Sequence, residues 1–387
     1  MRAFTAFLIA VVLVLAVIAG FTGKNMASTG QENGSGSHKE GWSDPPAAGI
    51  LYTTPSHDGS CITWLDDDLE KQDESRYSFS ASYYDGYRNM CGQDGKVYLF
   101  PRGDYDRKDD TKLQIIHMTD GSAQQIECGR SNVTGYDADG DSTAFSSNEN
   151  NICYLDTFNI KTGKHQSMQA EGVTVFDVIL AGDLLYGMAL DQELKVWLMS
   201  FDISGSAQEK LVELPDEDTP GFLQLYDGKI LFISDNRLCA YDTRTGNLDK
   251  TELTRQGAFN LNLEGANLFI AYTDVFSDGE EESLIEVRDA SDMHVITQET
   301  VPGSVIQMEV SGDEIWLLGR EKLARYTWSE QGLTGRKEKA VKREGYDVGG
   351  FMIPKYLYGS MTEEDALSLN EKLIEQADQI KVVPDQD

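Results

Sequence analysis

Three aspartates at alternating positions, Asp137, Asp139 and Asp141, have the spacing in this chain most typical of a metal site. Carboxylates at positions 1, 3 and 5 of a loop are typical calcium ligands. The match is incomplete, because Gly140 stands at the fourth position instead of the sixth and Asn148 replaces the glutamate expected at the twelfth. The sequence therefore favours a plain hairpin turn around Gly140, with a calcium loop as the alternative.

No other local pattern predicts catalysis or a cofactor. The chain has neither a Gly-x-Ser-x-Gly nucleophile turn nor a phosphate-binding loop. No histidine has a second histidine, a cysteine or a carboxylate at metal-ligand spacing, and the five are His38, His57, His117, His165 and His294. We name no catalytic or cofactor-binding residue. An active site assembled from distant strands leaves no local motif, so this argues only weakly against an enzyme.

The charge of the chain restricts its partners. It has 33 Lys and Arg against 65 Asp and Glu, for a net charge of -32. This charge repels nucleic acids and anionic lipid headgroups, so neither is expected as a partner. It is compatible with a basic partner or divalent cations. The acidic runs 66–68 and 278–282 are interpreted as solvated loops.

Five cysteines, Cys61, Cys91, Cys128, Cys153 and Cys239, show no Cys-x-x-Cys metal spacing. Outside the cytoplasm they could form up to two disulfides and leave one thiol free. The alternative is that they serve as small buried hydrophobic residues in strands.

The N-terminal segment predicts a membrane anchor. No charge falls between Arg2 and Lys24, and the apolar run from Ala3 to Phe21 reaches roughly 28 Å as a helix, close to the thickness of a hydrocarbon core. We expect residues 1–22 to be a retained transmembrane helix, with cleavage as a signal peptide near Ala19 as the alternative. The arginine before the run places the N-terminus in the cytoplasm and the rest of the chain outside. Cleavage would make the protein secreted.

Residues 23–48 are rich in Gly, Ser and Asn and have no apolar periodicity. This composition predicts a flexible linker between the membrane and a folded domain.

The next three hundred residues contain a repeat. A turn containing glycine precedes a short apolar strand seven times, at intervals of 37 to 47 residues, and the glycines are Gly49, Gly95, Gly140, Gly182, Gly228, Gly265 and Gly312. A second landmark follows each first one, namely a strand that ends in an acidic or polar turn and usually a glycine, as in 241–246. Each unit is then four strands, which at this period predicts a β-propeller blade.

We therefore predict an all-β domain over residues 49–358, a seven-bladed β-propeller of four-stranded antiparallel blades. The ring must close to remove its edge strands. Residues 346–358 follow the seventh unit and resemble the strand before the glycine turn in other units. We expect this segment to complete the first blade, with an eighth partial blade as the alternative.

Residues 359–387 predict a C-terminal amphipathic helix and tail. Thr362 can cap the helix, and the three acidic residues after it suit the positive end of the helix dipole. One apolar stripe is formed by Ala366, Leu369, Leu373, Ala377 and Ile380. The stripe is expected to pack on the propeller, with a partner helix as the alternative.

The segment 238–246, Leu-Cys-Ala-Tyr-Asp-Thr-Arg-Thr-Gly, resembles the quinoprotein-like (PQQ-like or YVTN-type) propeller repeat of bacteria, in which Ala-x-Asp-x-x-Thr-Gly is followed by Trp. Lys250 stands at the tryptophan position, and 159–163 is a degenerate copy. In that superfamily the Asp and Thr-Gly form a structural turn. The resemblance therefore implies a propeller and no quinone cofactor.

Together these features predict a membrane-tethered extracytoplasmic propeller that binds or scaffolds a protein or a glycan. A propeller offers a rigid disc whose loops can bind a partner without covalent chemistry. The alternative is an extracellular hydrolase or lyase acting on a polymer, with carboxylates, histidines or tyrosines gathered at the central channel.

Overall fold

The structure is a computed structural model that describes residues 42, 44–56, 59–79, 90–93, 95–101, 111–215, 221–273 and 282–355. Strands are the regular elements of these ranges. In chain order they are β1 (Ala48–Thr53), β2 (Ser60–Leu65), β3 (Lys71–Tyr77), β4 (Met90–Gln93), β5 (Lys96–Leu99), β6 (Lys112–His117), β7 (Ala123–Glu127), β8 (Val133–Asp139), β9 (Ser142–Glu149), β10 (Ile152–Asn159), β11 (Lys164–Ala170), β12 (Val173–Ala181), β13 (Leu184–Asp191), β14 (Val196–Asp202), β15 (Ala207–Leu214), β16 (Gly221–Tyr226), β17 (Lys229–Ser234), β18 (Arg237–Asp242), β19 (Leu248–Glu252), β20 (Ala258–Glu264), β21 (Asn267–Thr273), β22 (Glu282–Asp289), β23 (Val295–Pro302), β24 (Val305–Ser311), β25 (Glu314–Gly319), β26 (Lys322–Ser329), β27 (Gly332–Ala340) and β28 (Asp347–Met352).

These strands form seven antiparallel sheets of four, which are the blades of a propeller. Blade 1 has the order β28-β1-β2-β3. Blades 2 to 7 each use four consecutive strands, starting at β4, β8, β12, β16, β20 and β24. The predicted seven-bladed, four-stranded architecture is confirmed.

The ring closes through its last strand. β28 pairs antiparallel with β1, with Ile50 opposite Phe351 and Gly49 opposite Met352. The predicted closing segment therefore completes blade 1, and the alternative of an eighth partial blade is wrong. Closure gives β1 a partner on both sides, which removes an open edge at the start of the chain.

The glycine turns connect the first and second strands of blades 2 to 7. Gly140 and Gly228 have φ of 57° and 73°, and the other four turn glycines also have positive φ. This left-handed conformation is disfavoured for residues with a side chain, which explains why glycine recurs there. The predicted turn at Gly49 is wrong, because Gly49 lies within β1, where a Cβ would stand 2.6 Å from the Trp64 ring.

The second landmark is the turn between the third and fourth strands. In blade 5 the Asp242 carboxylate accepts hydrogen bonds from the amides of Arg244 and Thr245, both at 2.9 Å. Gly246 then takes a φ of 73°. Met293 occupies the corresponding place in blade 6 at a φ of 65°, so glycine is favoured at this place but not obligatory.

The core lies between the blades, since each sheet buries both faces against its neighbours. Trp316 of blade 7 packs in one cluster with Ile50 and Phe351 of blade 1. Trp64 of blade 1 packs in another cluster with Val97 of blade 2. Side chains from adjacent blades therefore share each cluster, and the ring is held together by apolar contacts all round.

Four cysteines, Cys61, Cys128, Cys153 and Cys239, are buried free thiols. Burial raises the pKa of the Cys128 thiol to about 12 and that of Cys153 to about 11. These four therefore match the predicted small buried hydrophobic residues and form no disulfide with one another. The side chain of Cys91 lies outside the described part of the structure.

The predicted N-terminal helix and C-terminal helix also lie outside the described residues. Within the described ranges, no helix is long and apolar enough to cross a membrane. At the end of the predicted linker the chain already contacts the propeller. Trp42 packs edge-on against Trp64 with ring centroids 5.0 Å apart, and the Gln72 side chain donates a hydrogen bond to the Asp44 carbonyl.

Candidate functional site

The first strand of each blade lies innermost, and consecutive first strands contact one another from β4 of blade 2 round to β28 of blade 1. These strands, β28, β4, β8, β12, β16, β20 and β24, therefore surround the central channel. We call the end of the channel that carries the glycine turns the turn face. The opposite end, where each first strand begins, is the loop face.

A β-bulge interrupts the pairing of six of these inner strands close to the loop face. The register shifts between Val133 and Gly135 in β8, between Val175 and Asp177 in β12, between Ala258 and Asn260 in β20 and between Val305 and Gln307 in β24. A bulge bends a strand and redirects its side chains. In three of these blades the residue after the shift is polar, namely Asp177, Asn260 and Gln307.

Within the described residues, six polar side chains of the inner strands form hydrogen bonds to the backbone of the next blade's inner strand. We call them the inner belt, and they are Thr134, Asp137, Asp177, Gln224, Asn262 and Gln307. Each bond joins residues 37 to 46 positions apart, which is the spacing of the blades.

The inner belt supplies partners to backbone groups on the free inner edges of blades 1 and 4 to 7. The Gln307 amide donates to the Phe351 carbonyl at 2.9 Å and accepts from the Phe351 N–H at 3.0 Å. The Asp137 carboxylate accepts from the Leu180 N–H at 2.7 Å. Burying an unpaired backbone N–H or C=O group costs free energy. These bonds therefore stabilise the contact between neighbouring blades at the channel.

The two carboxyl groups of the belt have unusual acidities. Burial raises the pKa of Asp137 to about 7 and that of Asp177 to about 6, and hydrogen bonds from backbone amides oppose the change. The nearby Asp177 charge adds to the increase for Asp137. Both groups therefore exchange a proton near neutral pH, which makes this part of the channel wall less negative than its composition suggests.

Three glycines from different strands lie close to Asp177. A Cβ on Gly135 of β8 would stand 2.6 Å from the Asp177 Cα, and one on Gly187 of β13 would stand 2.9 Å from the Asp177 carbonyl oxygen. Gly221 of β16 lies at the carboxylate itself, with Oδ2 at 3.7 Å from its ideal Cβ position. The Asp177 backbone therefore lies too close to Gly135 and Gly187 for larger residues at these two positions.

Lys355 lies just beyond the end of β28, at the turn face. Its carbonyl accepts a hydrogen bond from the Gly95 N–H of blade 2 at 2.7 Å. Its ammonium group lies 2.5 Å from the Glu309 carboxylate of blade 7 and 3.5 Å from the Asn262 amide oxygen of blade 6. This side chain connects three blades at one mouth, so a ligand would reach the channel more readily from the loop face.

The three aspartates of the predicted calcium loop are placed around the hairpin between β8 and β9. Asp137 belongs to the inner belt, Asp139 is an exposed residue at the end of β8, and Asp141 forms an ion pair with Lys96 at 2.8 Å. The ion pair lowers the pKa of Asp141. Calcium binding there stays a prediction, which a calorimetric titration with calcium chloride would test.

Within the described residues, three potential metal-ligand side chains meet at one place only, namely Asp289, Asp292 and His294. They belong to the turn between β22 and β23. Asp289 accepts a hydrogen bond from the Ser291 amide at 2.7 Å, and Asp292 lies 2.6 Å from Nδ1 of His294. The cluster is accounted for by the hydrogen bonds of the turn.

The acidic run 66–68 faces a basic stretch of blade 7. Lys337 binds the Asp68 carboxylate at 2.7 Å and Arg325 binds Asp67 at 3.2 Å. Asp67 and Asp68 remain strongly exposed, as expected for a solvated loop. Their ion pairs add a second connection between the last and first blades, beside the pairing of β28 with β1.

Sequence reasoning did not identify the inner belt or Lys355. The available signal was the blade period, since belt residues bond to partners one repeat away. Polar residues within otherwise apolar first strands could have been marked as candidates. Their pairing depends on the ring geometry, which no local motif encodes.

No protein-family model and no curated protein matches the chain. Among solved structures it is similar to a protein assigned as a 6-phosphogluconolactonase from Bacteroides uniformis, with a TM-score of 0.52 and 10% identity, covering 80% of this chain and 99% of that chain. It is also similar to the periplasmic gluconolactonase of Pseudomonas aeruginosa, with a TM-score of 0.50 and 13% identity, covering 76% and 99%. At these identities the likeness shows the seven-bladed propeller fold alone.

Proposed function

We propose that this propeller is a binding or scaffolding module that takes its ligand at the loop-face mouth of the channel. The observation that carries the proposal is the inner belt, whose polar side chains are committed to the backbones of neighbouring blades. A wall fixed in this way is a rigid binding surface, and rigidity lowers the entropic cost of binding. Lys355 binds side chains of blades 6 and 7 at the opposite mouth, which favours the loop face as the approach.

A hydrolase or lyase acting on an extracellular polymer is the second candidate. The raised pKa values of Asp137 and Asp177 favour it, since a carboxyl group that titrates near neutrality suits general acid–base catalysis. Against it, the contacts described for both carboxylates are backbone amides, which gives them a structural role already.

The two candidates are separated by testing one purified full-length protein for binding and for turnover. Protein and glycan fractions of a cell-surface extract are passed over the immobilised protein and over Gln224→Ala, which loses the belt bond to the Leu261 carbonyl. We expect a partner that binds the wild type and is reduced on the variant. Leu184→Ser, on the turn face, is the control and should bind normally. Hydrolysis or elimination of a peptide, glycan or ester would favour the enzyme instead.

We also propose that residues 1–22 anchor the protein in a cell membrane with the propeller outside, and that the propeller belongs to the quinoprotein-like repeat superfamily without using a quinone. The uncharged apolar run and the blade 5 motif support these two proposals. Alkaline carbonate extraction of membranes should leave the protein in the pellet. Release of the intact chain without detergent would count against the anchor, and an N-terminus after Ala19 would show cleavage.

A further inference from the structure

Phe222 has the most unusual backbone in the inner strands. Ten described residues other than glycine have positive φ, and Phe222, at 63°, is the one that lies within a strand instead of a turn. A bulky residue in this region is strained, at a cost of order 1–3 kcal/mol. Strain of this kind persists only where surrounding contacts impose it, and it is concentrated at functional sites.

The contacts that impose the strain are visible around Phe222. Its amide and that of Leu223 donate hydrogen bonds to the Asp177 carboxylate, with the Leu223 N–H at 3.3 Å. The Leu223 side chain is buried in the cluster shared by blades 4 and 5. Asp177 is itself fixed by Gly135 and Gly187. Before Phe222, Gly221 pairs with Ile233 of β17, so the chain is held on both sides of Phe222.

The result is an aromatic side chain displayed to solvent at the loop-face end of an inner strand. Phe222 is 40% exposed, one of four exposed large hydrophobic residues in the described ranges. The hydrophobic effect favours burial of the Phe222 ring. A strained backbone that instead exposes the ring favours a role in binding over a role in folding.

The groups beside Phe222 indicate what the ring could bind. On the same strand Gln224 carries an amide, and on the neighbouring inner strand Asp177 carries a carboxyl group that is protonated in part near neutral pH. An aromatic face next to amide and carboxyl groups suits a ligand with an apolar face and a rim of hydroxyl groups. An anionic ligand is disfavoured by the net charge of -32.

We propose that Phe222, Asp177 and Gln224 form a subsite for an uncharged saccharide ring, which stacks on Phe222 and hydrogen-bonds to the Asp177 carboxyl and Gln224 amide groups in addition to their belt bonds. This inference rests on the proposed binding function and names its ligand class. A protein partner on the same face is the competing outcome, and the test separates the two.

The test compares Phe222→Gly with Leu194→Gly in the full-length protein. Leu194 is a matched control, because it also has a φ of 63° and an exposed side chain, but it lies in the turn between β13 and β14. Glycine relieves the strain at both positions, so both variants should unfold at higher urea concentration than the wild type. Phe222→Tyr keeps the ring and is the conservative variant.

Binding is measured by calorimetric titration with glucose, galactose, mannose and N-acetylglucosamine, each as the monosaccharide and as a linear tetrasaccharide. We expect at least one neutral sugar to bind the wild type at millimolar concentration or below. Phe222→Gly should weaken that binding about tenfold, the size expected for loss of an aromatic contact. Leu194→Gly should bind like the wild type, and Phe222→Tyr, which keeps the ring, should retain most of the binding that Phe222→Gly loses.

Two results would overturn the saccharide subsite. One is that no sugar of the panel binds the wild type. The other is that Phe222→Gly binds the sugar as well as Leu194→Gly does. If the sugars fail while a surface protein still binds the wild type and is reduced on Gln224→Ala, the binding function stands and only the ligand class falls. If the sugars and the surface fractions both fail, the binding function falls as well.

Discussion

Replacing Gly135 by alanine tests whether the inner strands of blades 3 and 4 are in the close contact that the structure shows. The added Cβ would stand 2.6, 2.8 and 2.9 Å from the Cα, N and C atoms of Asp177. Real Cβ atoms essentially never come this close to another heavy atom. The opposing atoms are backbone, and Asp177 is fixed by its bonds to blade 5, so the contact cannot be relieved by a side-chain rotation.

The expected magnitude follows from two opposing effects. Overpacking a rigid contact costs about 3 kcal/mol, while exchanging glycine for alanine stabilises by about 0.5–1 kcal/mol through the unfolded state. Gly135→Ala should therefore lower the free energy of unfolding by about 2 kcal/mol. Gly221→Ala is the matched control, because it lies beside the same residue with Asp177 Oδ2 at 3.7 Å and should be neutral or slightly stabilising.

The assay is urea unfolding of the purified protein followed by tryptophan fluorescence, with the midpoint and slope compared among the wild type and the two variants. The chain has five tryptophans, and Trp64 and Trp316 are fully buried and report on the core. Equal midpoints for the two alanine variants would refute the close approach of β8 to Asp177, and with it the view of Asp177 as a rigidly held group.

Three further predictions concern the ion pair of blade 6, the inner belt and the ring closure. Arg288→Met leaves the fully buried Glu286 carboxylate without its ion pair at 2.5 Å and should destabilise the protein by about 3–5 kcal/mol. Arg237→Met removes a surface ion pair and should leave the midpoint of the same unfolding assay almost unchanged. Asp137 has a pKa of about 7 in the folded state and near 3.8 in the unfolded state, so the folded state binds the proton more tightly and the free energy of unfolding falls as pH rises from about 4 to 7. Asp137→Asn should lose this part of the pH dependence of unfolding. Identical pH profiles for the wild type and the variant would contradict the raised pKa. Phe351→Ala removes a fully buried ring from the closing strand and should cost about 3–5 kcal/mol, and a much smaller loss would argue that β28 contributes little to closure.

The fold was accessible from the sequence because its main signals are local. The glycine turns recur because the backbone there needs positive φ, as at Gly140 and Gly228, and that requirement appears in the sequence of each turn. The Asp242 turn and the segment around Phe351 were also recognisable by comparing one unit with another. Gly49 was misassigned because glycine also serves close packing against an aromatic ring, here Trp64.

The candidate site was much less accessible. Asp137 was singled out, but as one of three carboxylates in a calcium pattern and not as a hydrogen-bond partner of blade 4. Phe222 has no sequence feature that distinguishes it from Phe176 in the corresponding part of β12, and its positive φ emerges only in the folded ring. Lys355 follows the last strand, and its contact with Glu309 of blade 7 forms only when β28 brings it to the channel.

By itself the sequence determined the blade period and predicted seven blades with a closing segment, because turn conformation and alternating burial are properties of a few neighbouring residues. The tertiary structure decided between closure and an eighth partial blade, which polar groups meet at the channel, which blades Lys355 joins and which aromatic residue is held exposed under strain. Those features join residues one or more blades apart, as Gln307 joins Phe351. Their distances are set by the radius and closure of the whole ring, and so they exist only once all seven blades are in place.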